Sequence, residues 1–346
     1  MDSYNTPASA IRKNASSKLK DCSFENTYLQ KRLNSVRKQN HFLTTPQLRR
    51  LPQCSQLQEN LDPQKVAFLL QKQWTLYSLT PLHKFSYSSL KEYSRLLGAF
   101  IAAEKQKGIA VEVGEDFNFK VIFSVLLGMK GTPRDPEALL IQILSKSQLP
   151  AKGQEEKVLW SGWFCCAFGD SLLETVPEDF TCLPLFLTCG AESNTALIRA
   201  WFQKTFDCYF SPLSISAFHL SWLAAMWTAC SVDPSRNSIE FLWSVPCSPQ
   251  CLDISYAIHP EDAKALWDSI HQTPEEVTQE EVDIFMDCLT SHFYRHFRIH
   301  LTATRLVRVS TPIAAAHTDG KIKILCQKYL LGVLTYLTEL AIFQIE

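Results

Sequence analysis

Between residues 109 and 187 turn-forming residues cut the chain into short apolar segments, and this pattern constrains the fold more than any other feature. The segments are IAVEV, FKVIFSVLL, ALLIQILS, VLWSGWFCCAF and FTCLPLFL. Their length and their β-branched and aromatic content favour strands. The links GMKGTPRDP and PAKGQEEK read as turns or loops, so neighbouring strands can pair antiparallel. Helical patterns stand in blocks on either side, without a regular alternation of strand and helix. Such a chain is expected to be α+β, with largely antiparallel β-sheets and packed helices.

The helices have start and stop signals. Asp62-Pro63 is an N-cap followed by proline at the first helical position, and Val66, Leu69, Leu70, Trp74 and Tyr77 then recur at helical spacing. Ser89-x-x-Glu92 reads as a capping box for a second helix, striped by Leu90, Tyr93, Leu97, Phe100 and Ile101 and closed at Gly108. Leu197, Ile198, Trp201 and Phe206 mark a third, while ISAFHLSWLAAMWTA fits a strand or a buried helix. SIEFLWSV and LDISYAI read as strands. Pro260 opens a helix carrying Ala263, Leu266, Trp267 and Ile270, and Thr278-x-x-Glu281 caps another with Val282, Phe285, Leu289 and Phe293 on one side. KYLLGVLTYLTELAIF closes the chain as a helix. The expected organisation is a disordered basic tail over 1–61, an N-terminal α+β region over 62–190 and a C-terminal α+β region over 191–346.

Charge is unevenly spread behind a formal net charge of −1. Residues 1–58 hold ten Lys/Arg against three Asp/Glu, a basic arm of the kind that attracts nucleic acid or acidic protein. Within it, Leu29, Leu33 and Val36 can share a helical face among Lys31, Arg32, Arg37 and Lys38, a segment suited to folding on a partner. Thr6-Pro7 and Thr45-Pro46 fit proline-directed phosphorylation. The second basic concentration is Arg295, Arg298, Arg305, Arg308, Lys321, Lys323 and Lys328, seven cations against Asp319 alone between residues 291 and 330. There IHLTATRLVRVS and GKIKIL alternate like strands, and the cations are the candidate DNA-contacting set. Arg305 falls out of step with Arg308, which suggests a β-bulge. Val307, Val309, Ile322 and Ile324 are the candidate partner-binding set, on a strand pair whose long link, STPIAAAHTDG, leaves an edge open.

Other chemistry is poorly supported. The twelve cysteines read as free thiols of a reducing compartment, nuclear or cytosolic, and no run of about 20 apolar residues suggests a membrane span. FGDSLLE resembles the nucleophile block of the GDSL serine hydrolases, with Ser171 as nucleophile and Asp268 and His271 at that family's spacing. The Gly-x-Asn-Asp block that would complete an oxyanion hole is missing. His292, His296 and His300 recur every four residues and Cys247 and Cys251 lie upstream, but a strand at His300 would break the shared face. There is no Gly-Lys-Ser/Thr phosphate loop. No metal and no cofactor is expected.

The stretches DPQKVAFLLQKQWTLYSLTPL, SLKEYSRLL, VEVGEDFNFKVIFSVLLGMKG, LWSGWFCCAFGDSLLETV, EFLWSVPCSPQ, YAIHPEDAKALWDSI and ATRLVRVSTPIAAAHTDGKIKILCQKYL resemble the vertebrate centromere protein L family. The resemblance implies an α+β, non-enzymatic subunit of the constitutive centromere-associated network, the inner-kinetochore assembly on centromeric chromatin. It also implies pairing with centromere protein N through the C-terminal β-structured region. Contacts with other inner-kinetochore subunits and with centromeric nucleosomal DNA follow, as does a location at the centromere in the nucleus. Neither a small-molecule substrate nor a cofactor is implied.

Overall fold

A computed structural model describes residues 48–52, 63–70, 72–107, 119–145, 157–167, 178–230, 238–247, 251–274, 276–301 and 304–345. The tail residues Leu29, Lys31, Arg32, Leu33, Val36, Arg37 and Lys38, the segment IAVEV, Gly108 and Ser171 lie outside them. The first half of the chain forms β1 (Leu48–Arg50), α1 (Pro63–Leu69), β2 (Gln73–Leu79), β3 (Leu82–His83), α2 (Leu90–Lys107), β4 (Phe119–Leu126), β5 (Ala138–Ser145), β6 (Val158–Cys165), β7 (Phe180–Thr181) and β8 (Leu185–Gly190). Next come α3 (Glu192–Phe206), β9 (Phe210–Pro212), α4 (Ala217–Ala229), β10 (Ile239–Val245), β11 (Leu252–Ile258), α5 (Pro260–Ile270) and β12 (Glu276–Thr278). The chain finishes with α6 (Gln279–Phe297), β13 (Arg305–Ser310), β14 (Ala314–His317), β15 (Lys321–Ile324) and α7 (Leu330–Ile345).

Eleven strands make one antiparallel sheet in the order β11-β10-β13-β14-β15-β2-β8-β6-β5-β4, with β9 also paired to β2. The expected α+β class holds, and the 62–190 and 191–346 regions share this one sheet through the β15–β2 pairing. Residues 48–346 form one compact unit.

Helices cover the sheet unequally, and that inequality places the candidate site. On one face a core runs the whole width, filled by α1, α4, α5, α6 and α7 through Leu69, Leu223, Trp267, Phe285 and Leu337. Among the described residues the opposite face is covered only over β2, β8, β6, β5 and β4, where α2 and α3 bring Leu97, Ile101, Ile198 and Phe202 against Phe164 and Phe186. The strands beneath both layers are apolar on both sides, as buried strands must be. Strands β10, β11, β13, β14 and β15 instead alternate between buried and partly exposed residues.

Four expectations are corrected. The helical spacing through Trp74 and Tyr77 is misleading: α1 stops at Leu69, and Gln73–Leu79 is a central strand. Trp74 and Leu76 enter one core and Tyr77 and Leu79 the other, so a strand buried on both faces imitates a helical stripe. The link STPIAAAHTDG contains β14, whose small Ala314 and Ala316 pack at 0% and 1% exposure. The described residues 299–301 and 304 are not strand, and β13 begins at Arg305. Finally, residues 48–52 belong to the body rather than to the tail. β1 pairs with β12, and Arg49, 7% exposed, reaches Glu339 on α7 at 2.7 Å with its guanidinium over the Tyr336 ring.

Candidate nucleic-acid and partner surfaces

The uncovered half of the sheet presents its side chains in rows that cross the strands. Register places Ser255 of β11, Leu242 of β10, Arg308 of β13, His317 of β14, Lys321 of β15 and Thr75 of β2 side by side. The next row is Ala257, Glu240, Ser310, Ala315, Lys323 and Gln73. At the β13 start, Arg305 lies opposite Ser244, itself opposite Asp253. The register of β13 slips against β10 between Leu242 and Trp243, leaving Val307 as the extra residue. This bulge brings Arg305 and Arg308 to the same face while Leu306 and Val309 both point into the core, 5% and 0% exposed.

The seven cations of residues 291–330 therefore do not form one surface. Arg305, Arg308, Lys321 and Lys323 share the uncovered face. Arg295 and Arg298 end α6, which packs on the helix-covered side, and Arg298 adopts a left-handed C-cap at φ 57°. Lys328 sits in the turn before α7, over the Tyr329 ring at 5.2 Å and close enough to Cys230 to act on its thiol. The uncovered face is also more balanced than the local sequence suggests. Arg308 pairs with Glu240 at 3.0 Å and Lys321 with Asp319 at 2.6 Å, while His317 Nδ1 lies 2.7 Å from Asp319. Among the described residues Arg305 and Lys323 have no carboxylate partner. Glu240 was missed as a site residue although SIEFLWSV puts it on an outward position; only the sheet brings it to Arg308, 68 residues away.

The apolar partner set is corrected on the same register. Ile322, Ile324 and Val309 are 1%, 0% and 0% exposed and belong to the core under α4 and α7. Val307 alone is half-exposed. Nor is β15 an edge, since β14 and β2 flank it.

The sheet's true edges are β4 and β11, and they differ. On β4 the Ser94 hydroxyl of α2 accepts from the Phe123 N–H at 3.2 Å, and the Lys65 ammonium donates to the Val125 carbonyl at 3.3 Å. Side chains thus occupy outward groups of that edge, a common protection against strand addition. No described side chain does this on β11. At its start Leu252 is 58% exposed, and Phe297, the last residue of α6, and Ile299, just beyond it, are 57% and 49% exposed. The Phe297 ring lies tilted against Phe293 at 4.6 Å, and Phe293 packs edge-on against Tyr256 of β11.

The hydrolase and metal residues are engaged elsewhere. Asp268 pairs with Lys264 on α5, whereas His271 stacks on Trp267 and lies 3.2 Å from Glu281. That glutamate completes the Thr278 capping box, so Asp268 and His271 do not face a common site. His292 meets Tyr256 through Nδ1 and His296 through Nε2, the latter at 3.1 Å, while His300 stacks on Tyr294. Among the described residues no three metal-ligating side chains converge, and no described helix is long and apolar enough to cross a membrane.

The family model described as Centromere protein L matches residues 68–342, a span that contains both the uncovered face and the β11 edge. The chain is 77% identical over all 346 residues to the full length of a Homo sapiens protein named Centromere protein L. It is 74% identical over the same full lengths to the Bos taurus protein of that name. The Gallus gallus protein of that name is 62% identical over 295 residues, 85% of each chain. The match spans every strand of the large sheet, and on this ground the chain belongs to the Centromere protein L family.

Proposed function

We propose that the chain is a non-enzymatic structural subunit of the inner kinetochore, within the constitutive centromere-associated network, that pairs with centromere protein N and helps hold centromeric DNA. It works at the centromere in the nucleus, in chromosome segregation. The observation that carries this reading is the half-sheet that no described helix covers, basic along Arg305, Arg308, Lys321 and Lys323 and bordered by the edge β11, whose outward backbone groups no described side chain occupies. A sheet edge whose backbone groups lack covering is a template for a strand of another chain. Leu252, Phe297 and Ile299 supply the apolar anchors that such pairing needs for strength. The face supplies cations for phosphate contacts and few amide side chains for base edges, so contact with DNA is sequence-independent.

The near balance of charge on the face has a consequence. Glu240, Asp253 and Asp319 offset most of its four cations, so the chain alone binds DNA weakly and the partner completes the surface. Size-exclusion chromatography of the chain mixed with centromere protein N tests the pairing. The two should co-elute, and a chain carrying L252K and F297E should not. Failure of the unaltered proteins to co-elute contradicts the reading, whereas co-elution of the variant removes only the β11 edge as its place.

A further inference from the structure

We infer that Asp319 and Glu240 are built-in stand-ins for phosphate: in the free chain they hold Lys321, His317 and Arg308 in position, and a nucleic-acid backbone displaces them. The inference rests on the reading that the uncovered face meets DNA, and adds a control on which polyanions it accepts.

The geometry is that of an occupied anion site. One carboxylate, Asp319, pairs with Lys321 through one oxygen at 2.6 Å, and its other oxygen lies 2.7 Å from His317 Nδ1, the nitrogen that the Asp319 N–H also faces at 3.1 Å. The second, Glu240, accepts from Arg308 at 3.0 Å and from the Ser255 hydroxyl at 2.6 Å through the same oxygen. Arg308, His317 and Lys321 are successive cross-strand neighbours, so three nitrogen-bearing side chains span roughly two strand spacings, about 10 Å. Arg308 and Lys321 are each neutralised by a carboxylate as they would be by a phosphate oxygen.

Asp319 is held rigidly enough for this task. It lies in the β14–β15 turn, where Gly320 has φ +76° and an added Cβ would meet the Leu213 carbonyl oxygen at 2.1 Å. The Gly320 carbonyl accepts from Leu76 N–H at 2.8 Å, and Thr318 N–H donates to the Val307 carbonyl at 2.9 Å. The turn is thus tied to β2 and β13 on either side. Burial alone would lift the Asp319 carboxyl, but the hydrogen bond from Lys321 and the charge of His317 outweigh it and hold it below the usual value. It therefore stays ionised at neutral pH. Ion pairs this exposed add little to stability.

The chemistry favours dense phosphate arrays. A duplex offers several phosphates at once and can displace both carboxylates, whereas an isolated anion must compete with a tethered one for a single cation.

The test measures binding of a fluorescent DNA duplex to the full chain, alone and with centromere protein N, as a function of salt. D319N and E240Q should each raise affinity several-fold because no carboxylate then competes for the cation, while the slope of log affinity against log salt stays near that of the unaltered chain, since the number of phosphate contacts is unchanged. D319N should also let inorganic tripolyphosphate compete at lower concentration. Unchanged or reduced affinity in both variants, with melting temperatures near that of the unaltered chain, overturns the inference. R308Q and K321Q serve as the separate check on DNA contact itself: if neither weakens binding, the reading beneath the inference fails. If they weaken it while D319N and E240Q do nothing, only the inference fails.

Discussion

Replacing Arg49 by alanine removes the side chain that fastens β1 to the body. Arg49 and Glu339 lie 2.7 Å apart with side-chain exposures of 6% and 18%. The guanidinium also covers the Tyr336 ring at 4.4 Å and approaches Trp222 at 5.5 Å. Burial raises the Glu339 carboxyl above its usual value despite the pull of Arg49, so without Arg49 the carboxylate is left buried and unpaired. Breaking such a pair from one side costs about 3–5 kcal/mol. For a domain of this size that is a fall in melting temperature of roughly 6–20 °C, at about 2–4 °C per kcal/mol. Urea denaturation followed by tryptophan fluorescence measures it. Combining R49A with E339Q should recover part of the loss, because the neutral amide is cheaper to bury, and the cycle should show a coupling of about 1–3 kcal/mol. A loss below about 1 kcal/mol, or strict additivity, would refute the argument and return β1 to the tail.

Two further outcomes follow from the core. Ile322→Ala should destabilise the chain by about 2–5 kcal/mol while the folded fraction still pairs with centromere protein N. Loss of pairing at unchanged stability would put Ile322 back on the partner surface. His219 is held at about 4, below 6.5, by burial and then by Arg49, and its Nδ1 lies 3.0 Å from the Tyr336 hydroxyl. The unfolded chain therefore takes up this proton first, and stability is lost as pH falls from about 6.5 toward 4, by up to roughly 3 kcal/mol. H219Q should flatten that part of the stability curve relative to the unaltered chain, and an identical pH dependence would show that His219 carries none of it.

Local signals placed much of the fold. ALLIQILS became β5 without a residue's difference, and the Thr278–Glu281 capping box opens α6 as its spacing indicates. Pro260 likewise begins α5. What failed was whatever depended on distant chain. β14 is four residues of Ala-Ala-Ala-His with no strand propensity to show, and it is a strand because β13 and β15 pair with it on either side. Gln73–Leu79 sits under helices on both faces, and nothing in its own spacing reveals two cores. For the site, the alternation of residues 305–310 and 321–324 gave the face and the bulge. The helix-covered core that claims Val309, Ile322 and Ile324 is built by α4 and α7, and local alternation cannot tell a core face from a docking face. The carboxylate on Arg308 comes from β10, beyond any local charge count.

The central claim, that the uncovered face meets DNA, is tested most directly by reversing its charge. DNA binding by the complex of this chain with centromere protein N is measured across a salt series, with and without R308E, K321E and K323E. Each phosphate contact contributes about 0.9 to the slope of log affinity against log salt. The account predicts that the variant complex still assembles, binds unrelated duplex sequences more weakly by similar factors, and shows a slope shallower by up to about 2.7. Unchanged affinity and slope would contradict it, and loss of assembly would mean that this face meets an acidic protein surface instead.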